Sequence, residues 1–358
     1  MTVYLDYQAT TPLAPEAAAA MRPWFEEKFA NPHSSHKLGR EAAAAIEVAR
    51  EQLLAALGGG GRLYFTGGAT EAANWALKTN ARGRIVTLAS EHACVLDTVE
   101  WLAGQGHEVD VLPVGPDGLV DLNLVEDRVT EGTGLVAAML VNNEIGVIQP
   151  VAEIARIAHA KGALVFCDAV QGFGRVPLPL ESCDLVALSA HKIHGPKAIG
   201  ALWAREGLRL EPFLHGGGQE GGVRSGTLSP TSAAGFGAAA ALLGRDGDHV
   251  ERLWAVARET MRDWTLNGSA ERRYHGNLNL RRDGLDAARL ISEVREVAFS
   301  AGSACASGSG RPSHVLAALG LSDREARSSI RLGFGRYTTE AELRAALALI
   351  NEAAERQS

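Results

Sequence analysis

The chain has 358 residues, of which 46% are hydrophobic and 22% charged, so it can bury one large core and a second, smaller one. A net charge of -7 argues against nucleic acid as a partner, because backbone phosphates require clustered positive charge. The chain has neither a leader-like start nor an apolar stretch of about 20 residues, so we expect no membrane association and a cytoplasmic location.

The first elements in chain order are a turn-rich strap, 1–14, and a helix over 17–29. A polar loop with His33 and His36 follows, but no carboxylate or cysteine stands at metal-ligand spacing, so we predict no metal site. Apolar residues at helical spacing then predict a helix over 40–57 that ends at a glycine run.

A short strand, 63–65, leads into the turn Thr-Gly-Gly-Ala-Thr-Glu at 66–71 and then into a helix. Backbone N–H groups at such a helix start can approach an anion. The pattern fits a phosphate site, although it also closes many ordinary turns. It is neither a Walker loop nor a complete GxGxxG motif, which favours a small phosphate over a nucleotide.

Strands alternate with helices through the next hundred residues, which predicts a largely parallel sheet of the α/β class. Ligands of such sheets bind at the carboxyl ends of the strands. The predicted strands are 84–88, 108–112, 135–141, 164–167 and 185–188. Polar residues follow four of them: His92; Asn142, Asn143 and Glu144; Asp168 and Gln171; and Ser189, His191 and Lys192. Several polar strand ends together predict a functional site.

Lys192 is the central candidate of this site. The chain has only six lysines against a large excess of arginine, and this one stands where a strand ends. An amine in partly apolar surroundings loses proton affinity and becomes a nucleophile toward carbonyl groups. The alternative is an ordinary solvated loop lysine.

The pattern changes near residue 247, where amphipathic helices and short strands predict a smaller α+β domain. We therefore expect the strap, 1–14, to associate with a small domain, 247–358, and the large cofactor-binding domain to span 15–246. The small domain includes a Ser/Gly/Ala-rich segment at about 301–312, predicted to be mobile, in which nothing can bury Cys305. An exposed thiol in such a segment is a candidate nucleophile. The other cysteines, Cys94, Cys167 and Cys183, are too scattered for a disulfide framework.

Lys192, Asp168 and the turn at Thr70 together meet the needs of pyridoxal phosphate, whose aldehyde, ring nitrogen and phosphate require an amine, a carboxylate and backbone donors. His92 could lie over the ring and transfer protons. Arg331 could pair with a substrate carboxylate, the alternative being a surface salt bridge.

Motifs spread over nearly the whole chain resemble those of the cysteine desulfurases, which are pyridoxal-phosphate enzymes of fold type I in the class V aminotransferase group. The matching segments are 4–7 with 9–12, 31–32, 68–71, 91–92, 141–146, Asp168 with Gln171, 189–197, 224–227, 302–305 and 328–331.

The resemblance implies a large domain with a mainly parallel seven-stranded sheet and a smaller C-terminal α+β domain. It implies that Lys192 binds pyridoxal 5′-phosphate covalently, that Asp168 pairs with the pyridine nitrogen and Gln171 with the ring hydroxyl, and that His92 stacks on the ring. The residues implied to hold the phosphate are Ala69, Thr70, Ser189, His191 and, from the other subunit of a homodimer, Thr227.

The resemblance also implies the reaction. Asn31, Asn143 and Arg331 would bind the carboxylate of L-cysteine, with Asn143 also contacting the cofactor. Cys305 would take the sulfur as a persulfide, release L-alanine and pass the sulfur to an acceptor protein, such as a scaffold for iron–sulfur clusters or another thio-cofactor assembly. The alternatives are a selenocysteine lyase, an aminotransferase of the same fold and a non-catalytic phosphate-ligand or sulfur-carrier module.

Overall fold

The structure is a computed structural model that describes residues 2–302 and 313–357. Cys305 and the rest of the segment 303–312 lie outside the described residues, so the prediction of a mobile loop there remains a prediction. Within the described ranges, no helix combines the length and the apolar character that crossing a bilayer requires.

A seven-stranded sheet forms the centre of residues 62–204. Its strands, in spatial order, are β2 (Arg62–Thr66), β8 (Gly200–Ala204), β7 (Leu185–Ser189), β6 (Leu164–Asp168), β5 (Thr133–Met139), β3 (Arg84–Leu88) and β4 (Val109–Leu112). All neighbouring pairs are parallel except the two that β8 makes with β2 and β7. The predicted mainly parallel seven-stranded sheet is therefore confirmed.

Helices cover both faces of this sheet. Successive strand residues point to opposite faces, so Ile85 and Val86 belong to different apolar cores. The core that contains Val86 includes residues of α1 (Pro15–Glu26), α2 (Lys37–Leu57), α5 (Leu122–Arg128), α6 (Val151–Ala160) and α7 (Pro230–Ala240). The core that contains Ile85 includes residues of α3 (Ala69–Asn80) and α4 (Ala93–Gly104).

A second assembly follows residue 246. Its antiparallel sheet has the order β12 (Ser300–Ala301), β13 (Ser329–Gly333), β10 (Asn277–Arg281) and β9 (Thr265–Leu266). The helices are α8 (Gly247–Thr260), α9 (Ala287–Glu293), α10 (His314–Ala318), α11 (Asp323–Arg327) and α12 (Glu340–Glu355). A separate apolar core joins this sheet to α8, α9 and α12.

The N-terminal strap belongs to this second core. Strand β1 (Val3–Tyr4) pairs in parallel with β11 (Val297–Ala298), and Leu5 is completely buried among the residues of the C-terminal core. The contact agrees with the expected association of the strap with the small domain. The exact domain boundaries, 14/15 and 246/247, remain a prediction.

Two predicted elements differ from the structure. The first helix ends at Glu26 rather than at residue 29. Phe25 and Phe29 are exposed, so a longer helix would gain no stabilising apolar contacts from these residues. The strand predicted over 297–300 is two strands, since β11 pairs with β1 whereas β12 pairs with β13.

Leu5 offers a test of the link between the strap and the C-terminal core. We expect Leu5→Ala to lower the free energy of unfolding by about 2–5 kcal/mol, because it leaves a cavity in a closed core. Leu13→Ala is the control. Because Leu13 is 43% exposed, its substitution should lower the free energy of unfolding by less than about 1 kcal/mol. Urea unfolding followed by circular dichroism measures both, and equal effects would contradict the burial of Leu5.

Candidate active site

The carboxyl ends of β5, β6 and β7 open into a cavity of about 440 Å³, called here the cofactor cavity. This volume is typical of small-molecule sites, which range from about 300 to 1,000 Å³. The predicted site residues that line it are Ala69, Thr70, His92, Asn143, Asp168, Gln171, Ser189, His191, Lys192 and Arg331. The topology of the sheet thus brings together residues that are spread over more than two thirds of the chain.

Lys192 ends a single 3₁₀ turn, Ala190–Lys192, that directly follows β7. Its Nζ donates hydrogen bonds to the carbonyl oxygens of Gln8 at 2.6 Å and Ala9 at 2.8 Å. The strap therefore holds the amine at the wall of the cofactor cavity. The alternative of a solvated loop lysine does not describe this environment.

Asp168 is the last residue of β6 and is almost completely buried. Its Oδ1 accepts a hydrogen bond from the backbone N–H of Val170 at 2.9 Å. Burial raises the pKa of the carboxyl, while the charges of His92 and Lys192 act in the opposite direction. A buried carboxyl facing a cavity is suited to hold a protonated ring nitrogen.

His92 is the N-cap of α4, and its Nδ1 accepts a hydrogen bond from the backbone N–H of Cys94 at 3.1 Å. Because this bond occupies the Nδ1 lone pair, the proton of the neutral ring lies on Nε2. Burial lowers the pKa of His92, against the smaller opposite effect of Asp168. His92 is therefore a neutral ring at pH 7 with a proton on Nε2.

The turn before α3 has the features of a phosphate cradle. The N-cap residue is Gly68, which has no side chain, so no capping side chain accepts a hydrogen bond from the first-turn amides of Ala69 and Thr70. Strand β8 approaches this turn so closely that a Cβ at Gly200 would lie 2.7 Å from the carbonyl carbon of Gly68 and 2.9 Å from the nitrogen of Ala69. A side chain at position 200 is therefore incompatible with the turn.

Ser189 and His191 complete this end of the cavity. Ser189 is buried, and the Nδ1 of His191 forms a 3.1 Å hydrogen bond with the hydroxyl of Thr10. Burial, together with the charges of Lys192, Lys197 and Arg175, lowers the pKa of His191 to about 4. A neutral imidazole and a hydroxyl can both donate hydrogen bonds to phosphate oxygens.

Gln171 contacts the cofactor cavity from the segment after β6. Its Nε2 donates to the carbonyl of Gln8 at 2.8 Å, and its Oε1 accepts a hydrogen bond from Arg175. Arg175 also donates to the carbonyl of Lys192 at 2.5 Å. One arginine thus connects two predicted site residues.

Arg331 lies on β13 and is one of the largest completely buried side chains. It donates to the carboxylate of Asp6 at 2.7 Å and to the carbonyl of Asn143 at 3.0 Å. Within the described residues, its Nε and the Oδ1 of Asn143 are buried without a hydrogen-bond partner. A guanidinium and an unsatisfied amide oxygen therefore lie together at the cavity, where a zwitterionic ligand could satisfy both.

Three predicted site residues are not part of the observed cavity. Asn31 is exposed, and its Oδ1 accepts a hydrogen bond from the backbone of His33 at 2.9 Å. Thr227 is also exposed and is absent from the cavity lining of its own chain. Cys305 lies outside the described residues. The roles assigned to these three residues remain predictions.

The described residues on either side of the segment 303–312 are attached near the cavity. The backbone N–H of Gly302 donates to the carbonyl of Ser329 at 2.9 Å, two residues before Arg331. Ser313 donates a hydrogen bond to the carboxylate of Glu144, and the Nε2 of His314 contacts the carbonyl of Glu91 at 2.8 Å. Both attachment points therefore adjoin residues of the site.

Known proteins share this architecture. A family model described as aminotransferase class-V matches residues 3–345. A cysteine desulfurase IscS of Rickettsia bellii (strain OSU 85-389) is 43% identical over 98% of this chain and 90% of the relative. A solved NifS-like protein has 34% identity and a TM-score of 0.93, covering 99% of this chain and all of that one. A structure of SspA in complex with cysteine has 33% identity and a TM-score of 0.84, covering 94% of this chain and all of that one.

The chain belongs to the cysteine desulfurases of the class-V aminotransferase family. Pyridoxal 5′-phosphate is the cofactor of this family, and the residues of the cavity fit it. Lys192 would supply the amine, buried Asp168 would supply the carboxyl group for the ring nitrogen, and the uncapped start of α3 would supply donors for the phosphate.

Several residues near this desulfurase site are not predicted by the sequence. The carbonyls of Gln8 and Ala9 are among them, because nothing local predicts a contact across 184 residues. Glu91 belongs to a matching motif, but the motif predicts no role for it. It is completely buried, its Oε1 accepts a 2.6 Å hydrogen bond from the N–H of Met139, and burial and nearby Asp168 raise its pKa to about 8. Its position before a predicted site histidine was the only available signal.

The close approach at Gly200 yields a prediction for cofactor affinity. We expect Gly200→Ala to raise the dissociation constant of pyridoxal phosphate at least about tenfold, because the new Cβ would lie 2.6 Å from the carbonyl oxygen of Leu188 and displace the phosphate turn. Gly104→Ala is the control, since a Cβ there contacts nothing within 4 Å. An absorbance titration of the apoprotein measures both, and unchanged affinity in Gly200→Ala would contradict the assignment of the cradle.

Proposed function

We propose that this desulfurase transfers the sulfur of L-cysteine to Cys305 and releases L-alanine. The C–S bond of the substrate breaks, an S–S bond forms on Cys305, and the thiol proton ends on the alanine methyl group, so the step needs no external oxidant or reductant. Pyridoxal phosphate, when bound, supplies the electron sink that weakens the bonds at the substrate Cα. The observation that carries the proposal is the convergence of Lys192, Asp168 and His92 on one cavity beside the anchored ends of the Cys305 segment.

Arg331 and Asn143 are the proposed binding site for the substrate carboxylate. Arg331 is bound by Asp6, which is the less buried partner of the pair. A substrate carboxylate can take the place of Asp6, because planar guanidinium groups bind carboxylates with two parallel hydrogen bonds. Asn31 is proposed as a further contact.

His92 is the proposed proton donor. Its Nδ1 accepts the hydrogen bond from Cys94, so the exchangeable proton lies on Nε2 of a ring that lines the cavity. The lowered pKa keeps the resting ring neutral at pH 7, and a neutral imidazole is not itself an effective acid. The ring must therefore first take up a proton, and the imidazolium so formed releases its Nε2 proton readily because its pKa is low.

Cys305 is the proposed sulfur acceptor within the protein. The ends of its segment are attached beside Arg331 and beside Glu91 and Glu144. In the sequence, Cys305 is three residues from Gly302 and eight from Ser313, and ten extended residues can span up to about 35 Å. The same thiol can therefore meet the substrate and an external acceptor.

We further propose a cytoplasmic homodimer that passes sulfur to an acceptor protein for assembly of iron–sulfur clusters or other thio-cofactors. Support for the dimer comes from Thr227, which is exposed on its own chain although the resemblance implies a contact with the phosphate. A site completed by the partner subunit accounts for both facts.

The desulfurase proposal is tested with L-cysteine and a thiol reductant. We expect equal amounts of sulfide and alanine from the unmodified protein. Lys192→Ala should lose the visible absorbance of the covalently held cofactor and both products. Cys305→Ala should keep that absorbance and lose sulfide formation at least about 100-fold, because the nucleophile is gone. Cys183→Ser is the control, since Cys183 is buried away from the cavity. Undiminished sulfide from Cys305→Ala would refute the role of this thiol.

The shared site is tested by mixing two inactive chains. Thr227→Val should weaken cofactor binding about tenfold or more through loss of a hydrogen bond to a charged group. If Thr227 completes the site of the partner subunit, a mixed dimer of one Thr227→Val chain and one Lys192→Ala chain has one site with both changes and one site with neither. Activity at limiting cofactor should therefore return. Sedimentation should give a mass of about 76 kDa, twice the chain mass of 37.8 kDa. Mixed dimers without restored activity would place Thr227 in the site of its own chain, or in none.

A further inference from the structure

A second cavity, of about 300 Å³, lies on the other side of the segment that carries Lys192. Three arginines, Arg175, Arg273 and Arg336, line it, and we call it the arginine cavity. It lies where the segments after β6 and β7 meet the start of α8 and the loop before β10. Its lining shares Lys192 with the cofactor cavity.

Positive charge exceeds negative charge around this cavity. The carboxylates of the lining are Asp246 and Glu251, and both already have partners. Asp246 binds Arg336 at 2.8 Å, and the largely exposed Glu251 binds His275 at 2.7 Å. Within the described residues, neither Arg175 nor Arg273 forms an ion pair; their hydrogen-bond acceptors are backbone carbonyls and one amide oxygen.

Two of the guanidinium groups have unused donors. Arg273 is only 4% exposed, and its Nε is buried without a hydrogen-bond partner among the described residues. The Nη1 of Arg336 is also buried without a hydrogen-bond partner among the described residues. Burial and the nearby charge of Arg258 lower the pKa of Arg273 to about 9. A buried donor on a charged group is costly to leave unsatisfied.

The start of α8 adds to the positive potential. This 14-residue helix begins at Gly247, which lines the cavity, and its N-cap Asp246 makes no side-chain capping bond because its carboxylate is engaged with Arg336. The N-terminus of a helix carries a partial positive charge that favours anions.

We propose that the arginine cavity binds a small, doubly charged oxyanion. Two guanidinium groups that form no ion pair within the described residues match two negative charges, and the unused donors of Arg273 and Arg336 match two oxygen acceptors. Inorganic phosphate and sulfate have this chemistry, and the cavity is large enough for either. The tetrahedral geometry of these ions suits donors that converge from separate elements.

Arg175 couples this site to the cofactor cavity. It donates to Oε1 of Gln171 and to the carbonyl of Lys192, and both residues line the cofactor cavity. An anion that attracts the Arg175 guanidinium weakens the hydrogen bond that Arg175 donates to Oε1 of Gln171. Anion binding should therefore change the environment of the bound cofactor without direct contact.

Calorimetry on the cofactor-loaded protein tests the proposal, since the cofactor then blocks the phosphate cradle. Potassium phosphate and potassium sulfate are titrated separately in chloride buffer of matched ionic strength. We expect saturable binding of one equivalent per chain, weakened at least tenfold in Arg273→Gln and unchanged in Arg272→Gln, whose arginine is exposed and directly adjacent. The cofactor absorbance should change with the same midpoint.

A double variant covers the case in which Arg273→Gln fails to fold. Arg336→Gln with Asp246→Asn removes an ion pair without leaving a charge behind, and should also weaken binding at least tenfold. The proposed site would be overturned if phosphate and sulfate showed no saturable binding at concentrations up to 50 times that of the cofactor. It would also be overturned if Arg272→Gln weakened binding as much as Arg273→Gln does. Binding lost in Gly200→Ala but retained in Arg273→Gln would place the anion in the phosphate cradle instead. Binding without an absorbance change would refute the coupling through Arg175.

Discussion

The hydrogen bonds between the Lys192 amine and the carbonyls of Gln8 and Ala9 hold the site together. A partly buried ammonium group needs hydrogen-bond acceptors, and here the strap supplies them. The carbonyl of Gln8 also accepts from Gln171, and Thr11 bonds the carbonyl of His191. Because Leu5 of the same strap is packed in the C-terminal core, the position of the reactive amine depends on how that core is formed.

The parts of the site that could be predicted from sequence are those determined by local pattern. An apolar run followed by a polar residue marks the end of a buried strand, and the ends of parallel strands converge on one edge of a sheet. Asp168 and Lys192 follow this rule, and β6 and β7 are neighbours in the observed sheet. The turn before α3 follows it as well. For Arg331, a surface salt bridge stayed open as the alternative, since its strand pairs with segments distant in sequence.

The remaining features depend on contacts that no local pattern encodes. Strand β8 is antiparallel and inserts between β2 and β7, and only its glycine at position 200 indicates how closely it approaches the phosphate turn. Arg175 looks like any polar loop residue in the sequence, yet it is the link between Gln171 and Lys192. Asn31 and Thr227 are exposed and do not line the cofactor cavity of their own chain, which their sequence motifs do not indicate.

The electrostatic arrangement separates two kinds of buried charge. Burial raises the pKa of two carboxyl groups in this region: Asp168 lines the cofactor cavity, and Glu91 is completely buried near Asp168. Half-buried Arg175 and buried Arg273 lie at the arginine cavity and form no ion pair within the described residues. Removing a guanidinium from water without a counter-ion is unfavourable. An anion in this cavity would supply the counter-charge, and Arg175 would make the cofactor cavity sensitive to it.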